Sequence, residues 1–247
     1  MIETVGLDAG PGVAAFSTLR GCTRADDPYD GLNCCHYTGD DPAHVAASRE
    51  ALAVHLAISP GRMIIPRQTH SVNVAVIADP DAMPSLEDVD ALVTPLPAVA
   101  LVIHTADCTP LLLNDPQGGV IAAVHAGWRG AVGGIALNAL RAMAALGADP
   151  RRIIATMGPA ICPDCFETSP EIASRFPAQF VSHPAPGARP HADIAALIRA
   201  QLIDAGVRAE AIAMPPQCTR CCHDRFFSAR RLGVASGRMS SVIMRRG

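Results

Sequence analysis

The sequence predicts an α+β fold: a single domain over residues 1–247, with mixed β-sheets flanked by helices. Three observations carry that expectation. Short apolar runs bounded by turn residues recur at 13–18, 63–65, 72–77, 91–94, 99–103, 120–124, 153–157, 211–214 and 241–244, and read as strands. These runs come singly or in pairs between helical segments, which argues for mixed sheets over strict βα alternation. No linker-like composition divides the chain.

The elements follow in order. After the run at 13–18 comes a turn at Arg20-Gly21. Residues 26–41 are polar and punctuated by Pro28, Gly31 and Gly39, which predicts a long ordered loop of the kind that often carries function. Asp41-Pro42 then opens a helix, with Asp as N-cap and Pro where a missing N–H costs nothing. Val45, Ala46, Leu52, Ala53 and Leu56 follow at helical spacing, interrupted by Arg49, and Ser59-Pro60-Gly61 ends the segment. His70 sits in a short polar stretch between two strand-like runs, and 78–88 is a connection rich in Pro and Asp. Residues 131–146 predict one helix ended by Gly147, with Gly133 and Gly134 marking a close approach in its first turn. Ser169-Pro170-Glu171 starts a further helix that stops near Phe176. The proline-rich segment 182–190 reads as a surface loop, and 194–202 as a helix closed by Gly206.

Composition narrows the function classes. The formal net charge is −3 and basic residues are scattered, so nucleic acid and acidic membrane surfaces are not expected partners. Mean hydropathy is +0.24, yet no apolar run approaches the ~18 residues of a membrane span. The segment MIETVGLDAGPG lacks a basic stretch before an apolar one, so no secretory signal is expected. Nine cysteines, an odd count, suit reduced thiols or metal ligands better than a disulfide framework. The expected location is the cytoplasm.

The chemistry concentrates in VALVIHTADCTPLLLNDPQGGVIAAVHAGWRG, residues 99–130. Cys108 follows one apolar run by a few residues and His125 directly follows the next, which predicts a thiol and an imidazole at the ends of two adjacent strands. His70 is the third candidate. Two imidazoles and a thiolate match a catalytic zinc site, with three protein ligands and one open position. Spacing leaves two other readings open. The three residues can be unrelated, since Cys is commonly buried and a His commonly just hydrogen-bonded. Alternatively, Cys108 acts as a nucleophile without metal, with His125 or His70 as base. Asp107 reads as a supporting or structural neighbour, and Asp107 and Glu167 are the carboxylates considered for general acid/base work.

Cys162-Pro-Asp-Cys165 and Cys218-Thr-Arg-Cys221 together have the ligands of a four-cysteine zinc site. The 52 residues between the pairs, against about 15–20 in compact zinc ribbons, favour free thiols instead. Cys34-Cys35-His36 forms a third, less specific cluster. Arg129, Arg20, Arg67, Arg230 and Arg231 adjoin turns or aromatics. Each is either a forked anion binder or an ordinary surface charge. Trp128 either stacks on a planar ligand or packs in the core.

The strings PRQTHS, LVIHTADCTPLLLND, VHAGWRG, GPAICPDCFE and FFSARR, in this order, resemble the YfiH-type family, also labelled laccase-domain or polyphenol oxidase. The resemblance runs from STLRG near Thr18 to SGRMSS near Ser240. It implies zinc held by His70 of QTHS, Cys108 of TADC and His125 of HAGW, which would also be the catalytic centre. It implies activity on purine nucleosides with phosphate as co-substrate: phosphorolysis of adenosine, inosine, guanosine and methylthioadenosine, and deamination of adenosine. Arg20, Asn33, Gln68 and Arg129 are the expected substrate-binding residues, with Arg129 or Arg20 for phosphate. One alternative is a copper-dependent polyphenol oxidase (laccase), against which the supply of nine histidines weighs. Another is a zinc-stabilised interaction module, with a closed four-ligand site and no substrate pocket. The chain departs from the family's frequent Q-V-H-G at Thr69 and Ser71, and His104 and the extra cysteines of CTRCCHD are unusual.

Overall fold

The protein is described by a computed structural model covering residues 2–21, 24, 26–79 and 81–246. Its strands are Thr4–Gly6 (β1), Val13–Thr18 (β2), Met63–Ile64 (β3), Val74–Val76 (β4), Ala91–Thr94 (β5), Ala100–Thr105 (β6), Thr109–Asp115 (β7), Val120–Ala126 (β8), Ile154–Met157 (β9), Val181–Ser182 (β10), His191–Ala192 (β11), Ile212–Ala213 (β12) and Met239–Arg245 (β13). The helices are Pro42–Leu56 (α1), Trp128–Gly133 (α2), Ile135–Ala145 (α3), Pro170–Ala173 (α4), Ile194–Asp204 (α5) and Ala229–Leu232 (α6).

Two mixed sheets dominate, as the α+β expectation required. The first has strand order β1-β2-β13-β6-β3 and the second β12-β9-β7-β8-β5-β4. Period-two alternation explains how they stack. Leu112, Ile121 and Ala123 of the second sheet face inward to meet Leu101, Ile103 and Ile243 of the first. The residues between them, Leu111, Leu113, Ala122 and Val124, point the other way onto Ile135, Leu140 and Met143 of α3 and Ile198 and Leu202 of α5. On the far side, Leu52 and Leu56 of α1 cover Phe16, Val102 and Val242. The result is four layers, helix on sheet on sheet on helices. Strands buried on both faces read as continuous apolar runs, which is why β6 and β8 were conspicuous.

Three local readings need correction. The run after Cys108 is itself a strand, β7, absent from the expected set, with Pro110 at its second position. It forms a hairpin with β8, so β7, not β6, is the neighbour of β8, and β6 belongs to the other sheet. The helix expected at 131–146 is two helices. Gly134, at φ 82, ends α2 and starts α3 in a left-handed conformation. Gly133 does mark a close approach, but of a side chain: a Cβ there would meet Val72 Cγ1 at 2.7 Å. In α1, capped as expected by the Asp41 side chain on Ala43 N–H, the inward position is Ser48 rather than Ala46.

Candidate active site

Three strands bring the candidate residues together. In the β7–β8 hairpin His125 lies opposite Pro110, two residues past Cys108. β5 pairs with β8 on its other side, so the carbonyl of Asp90, just before β5, accepts the His125 N–H at 2.7 Å. Cys108 sits in the short link that carries the chain from the first sheet (β6) to the second (β7).

Asp90 organises the histidines. Its buried carboxylate accepts from the backbone N–H groups of Thr69 (3.1 Å), His70 (3.1 Å) and Ser71 (2.7 Å), and from Ser71 Oγ (2.8 Å). Those bonds hold His70 at φ 65, a left-handed conformation that a non-glycine residue seldom keeps without such support. The same carboxylate lies 2.6 Å from His125 Nδ1. That contact directs Nε2 of the imidazole towards Cys108 and His70.

The donor atoms of His70, Cys108 and His125 all lie within 4.8 Å of one another. Cys108 Sγ is 3.5 Å from His70 Nε2, and the two imidazole centroids are 4.8 Å apart at 73°. Gly127 makes this approach possible, since a Cβ there would fall 2.4 Å from His70 Cδ2 and 3.1 Å from Cys108 Sγ. Electrostatics favour a Cys108 thiolate paired with a protonated His125, whose proton a bound metal ion would displace. Burial alone would raise the Cys108 thiol, but the His125 charge and hydrogen bonds from both imidazoles bring it down to about 6. Burial opposes protonation of His125, yet the Cys108 thiolate and Asp90 raise it to about 9. Asp90, pushed up by burial, is drawn down to about 2 by His125 and Ser71. Two imidazoles, a thiolate and a carboxylate behind one imidazole are the donor chemistry of a zinc site that keeps an open position.

The cluster opens into a cavity of about 700 Å³. Tyr37 and Thr38 line it from the long loop, and Arg230 and Arg238 from the C-terminal segment. His104 also lines it. Its imidazole is buried, with Nδ1 3.3 Å from Ser240 Oγ and no partner for Nε2 among the described residues. Burial pushes it to about 3, so it is neutral.

Of the expected substrate-binding residues, Gln68 reaches this cavity, though both ends of its amide are bonded at 2.7 Å to the His104 backbone. The other three lie elsewhere. Arg20 is buried against Phe227, donates to the Asp27 and Asp30 carbonyls and lines a separate cavity against α1. Asn33 is buried, donating to Asp40 and accepting the Cys35 and Arg238 N–H groups. Arg129 is exposed and lies over the Trp128 ring at 4.4 Å, while Trp128 packs on the core of the second sheet. Asp107 lines the cavity, but its carboxylate accepts from Thr219 Oγ1 and Arg230 N–H, both at 2.7 Å. Glu167 is exposed and paired with Arg189. Sequence reasoning missed Asp90, an acid before a short apolar run with nothing to mark it. It also missed Tyr37 and Arg238, although Arg238 stands in the SGRMSS string.

Fold and site together define a protein of stacked mixed sheets with a metal-capable His-Cys-His cluster lining a ligand-sized cavity. The chain belongs to the family described as multi-copper polyphenol oxidoreductase laccase, whose model matches residues 14–246. It is 44% identical over 263 residues to adenosine deaminase RL5 from an unknown prokaryotic organism, covering 100% of both chains. It is 41% identical over 220 residues to purine nucleoside phosphorylase SCO2081 of Streptomyces coelicolor, covering 87% of this chain and 88% of the relative. Among solved structures, the Bacillus licheniformis hypothetical protein YfiH matches with TM-score 0.90 at 25% identity, covering 98% of this chain and 96% of the other. Among the described residues no helix is long and apolar enough to cross a membrane.

Proposed function

We propose that this protein is a zinc-dependent purine nucleoside enzyme. It cleaves adenosine, inosine, guanosine and methylthioadenosine with phosphate, and deaminates adenosine to inosine. The observation that carries the reading is the open His70–Cys108–His125 cluster lining the cavity. The names of full-length relatives, a deaminase and several phosphorylases, supply the substrate class.

Zinc held by three protein ligands supplies Lewis-acid chemistry and lowers the pKa of water toward ~7. The chain's own residues do the rest. Asp90 fixes the His125 tautomer and the His70 backbone, so the donor set is preorganised. In phosphorolysis a phosphate oxygen bonds to C1′ as the C1′–N9 bond breaks, and the base leaves with a proton. Arg230 and Arg238, the guanidinium-bearing residues of the cavity wall, replace Arg20 and Arg129 as candidates for holding that phosphate. In deamination water adds at C6 and ammonia departs, so phosphate plays no part.

A copper reading has one observation behind it, the family's description. Multicopper chemistry needs several histidine-rich centres. Among the described residues the metal-capable groups are this trio and four cysteines. The deciding experiment incubates zinc-loaded and copper-loaded protein with adenosine, with and without phosphate, and with a phenol. Adenine plus ribose-1-phosphate in phosphate buffer, and inosine plus ammonia in either buffer, are expected from the zinc form. Phenol oxidation restored by copper, with no nucleoside turnover, would overturn the assignment.

A further inference from the structure

The expectation of free thiols at the two C-x-x-C pairs rested on the length of chain between them, and the fold removes that argument. Cys162 and Cys165 lie in the segment after β9, and Cys218 and Cys221 in the segment after β12. β9 and β12 are parallel neighbours at the edge of the second sheet, so both segments leave the same end side by side. The 52-residue gap is occupied largely by α4, the β10–β11 ribbon and α5, and has no bearing on the distance between the pairs. We infer that Cys162, Cys165, Cys218 and Cys221 form a second, structural metal site that binds one zinc ion.

The geometry supports four-fold coordination. All four sulfurs lie within 4.8 Å of one another, and Cys165 and Cys221 approach to 3.4 Å. Zn–S bonds of about 2.3 Å in a tetrahedron place sulfurs about 3.8 Å apart, inside that range. Each pair folds as a tight turn. Cys165 N–H donates to the Cys162 carbonyl at 3.0 Å, and Cys222 N–H to the Cys218 carbonyl at 3.0 Å. Cys218 Sγ accepts the Cys162 N–H at 3.3 Å and the Cys221 N–H as well, so backbone donors already point at sulfur as they would at a thiolate. Four thiolates around Zn²⁺ carry a net charge of −2, and the Arg220 guanidinium, hydrogen-bonded to Cys165, stands beside them as a counter-charge.

No ligand position is left open, so the role is mechanical. Zinc here ties the segment after β9 to the segment after β12. Next to the ligands, Ile161 N–H donates to the Asp107 carbonyl at 2.9 Å, and Thr219 Oγ1 to the Asp107 carboxylate at 2.7 Å. Asp107, held at φ 86, immediately precedes Cys108. The cysteine cluster thereby braces the wall from which the open site takes its thiol.

The test measures zinc per chain in protein purified under reducing conditions, with X-ray absorption at the zinc edge. Two zinc ions are expected in the wild type, and one each in Cys108→Ala and in Cys165→Ser/Cys221→Ser. In Cys108→Ala the remaining zinc should show four sulfurs at about 2.3 Å. This readout does not depend on nucleoside turnover, so it stands or falls apart from the proposed activity. Single Cys221→Ser, at an exposed position, serves if the double variant fails to fold, and should weaken zinc retention against a chelator. One zinc in the wild type that disappears with Cys108, or a thiol count showing a disulfide between the pairs, would overturn the inference.

Discussion

The two cysteine-bearing clusters are built from opposite materials. His70, Cys108 and His125 are set by the register of β5, β7 and β8 and by one buried carboxylate, and their free side opens on a cavity. The four cysteines sit on the segments that follow β9 and its edge neighbour β12, and they face one another. A strand frame that leaves a coordination position open suits chemistry, whereas two turns closed around a full ligand set suit bracing. The contrast teaches that the same residue type at similar exposure serves two ends, according to what supports it.

The largest effect should come from breaking the open cluster alone. His125→Ala removes a proposed metal ligand and a side-chain partner of Asp90 together. Groups one step behind a metal ligand are worth about 10–100-fold, so both nucleoside activities should fall by more than that. Zinc in the cysteine cluster should stay. Steady-state turnover beside metal content checks this, and retained turnover in His125→Ala would remove the distinction between the two sites.

The next effect should separate the two reactions. Arg230 belongs to both regions: its N–H rests on Asp107, while its side chain lines the cavity and donates to the Glu167 carbonyl. Loss of a charged phosphate contact costs a few kcal/mol, about 100-fold in rate. Arg230→Ala should therefore slow phosphorolysis about 100-fold with little change in deamination, read from phosphate-dependent adenine release against inosine formation. An equal loss in both would mean that the Arg230 side chain does not serve phosphate in particular, since its backbone N–H on Asp107 survives the substitution.

A smaller effect probes how tightly the open cluster is packed. Gly127→Ala places a methyl against His70 and Cys108. His70 is exposed and can yield, so a loss of about tenfold in zinc affinity is expected, the low end of the range for groups around a ligand. A competition titration with a chelator measures it. No change would mean that the close approach of α2 is not part of the site.

How much of this was legible depended on the kind of signal. Strands buried on both faces announce themselves, so β5, β6, β8 and β9 could be read directly, as could the cap of α1 at Asp41. His70, Cys108 and His125 were legible as chemical types in short motifs. Asp90 was not, because a lone carboxylate carries no local sign that three backbone N–H groups and an imidazole will converge on it from 19 to 35 positions away. The meeting of the two cysteine pairs was hidden for a related reason: a long stretch of sequence separates them, and the parallel pairing of β9 with β12 cancels that separation. Arg129 failed in the other direction: a residue four positions past His125 turns with α2 and leaves the cavity.

That placement makes Arg129→Ala the smallest expected effect and the control for the rest. The residue stands in HAGWRG, and the sequence offers it, beside Arg20, as a candidate for phosphate. In the structure its guanidinium lies over the Trp128 ring at 4.4 Å, on the exposed side of α2. An exposed cation–π contact is worth about 0.5–1 kcal/mol, enough to lower thermal stability slightly and too little to unfold the chain. Phosphorolysis, deamination and zinc content should all stay within about twofold of wild type. A phosphate-specific loss in Arg129→Ala as large as that in Arg230→Ala would return the phosphate to the α2 side of the cluster and move substrate out of the cavity between the long loop and the C-terminal segment.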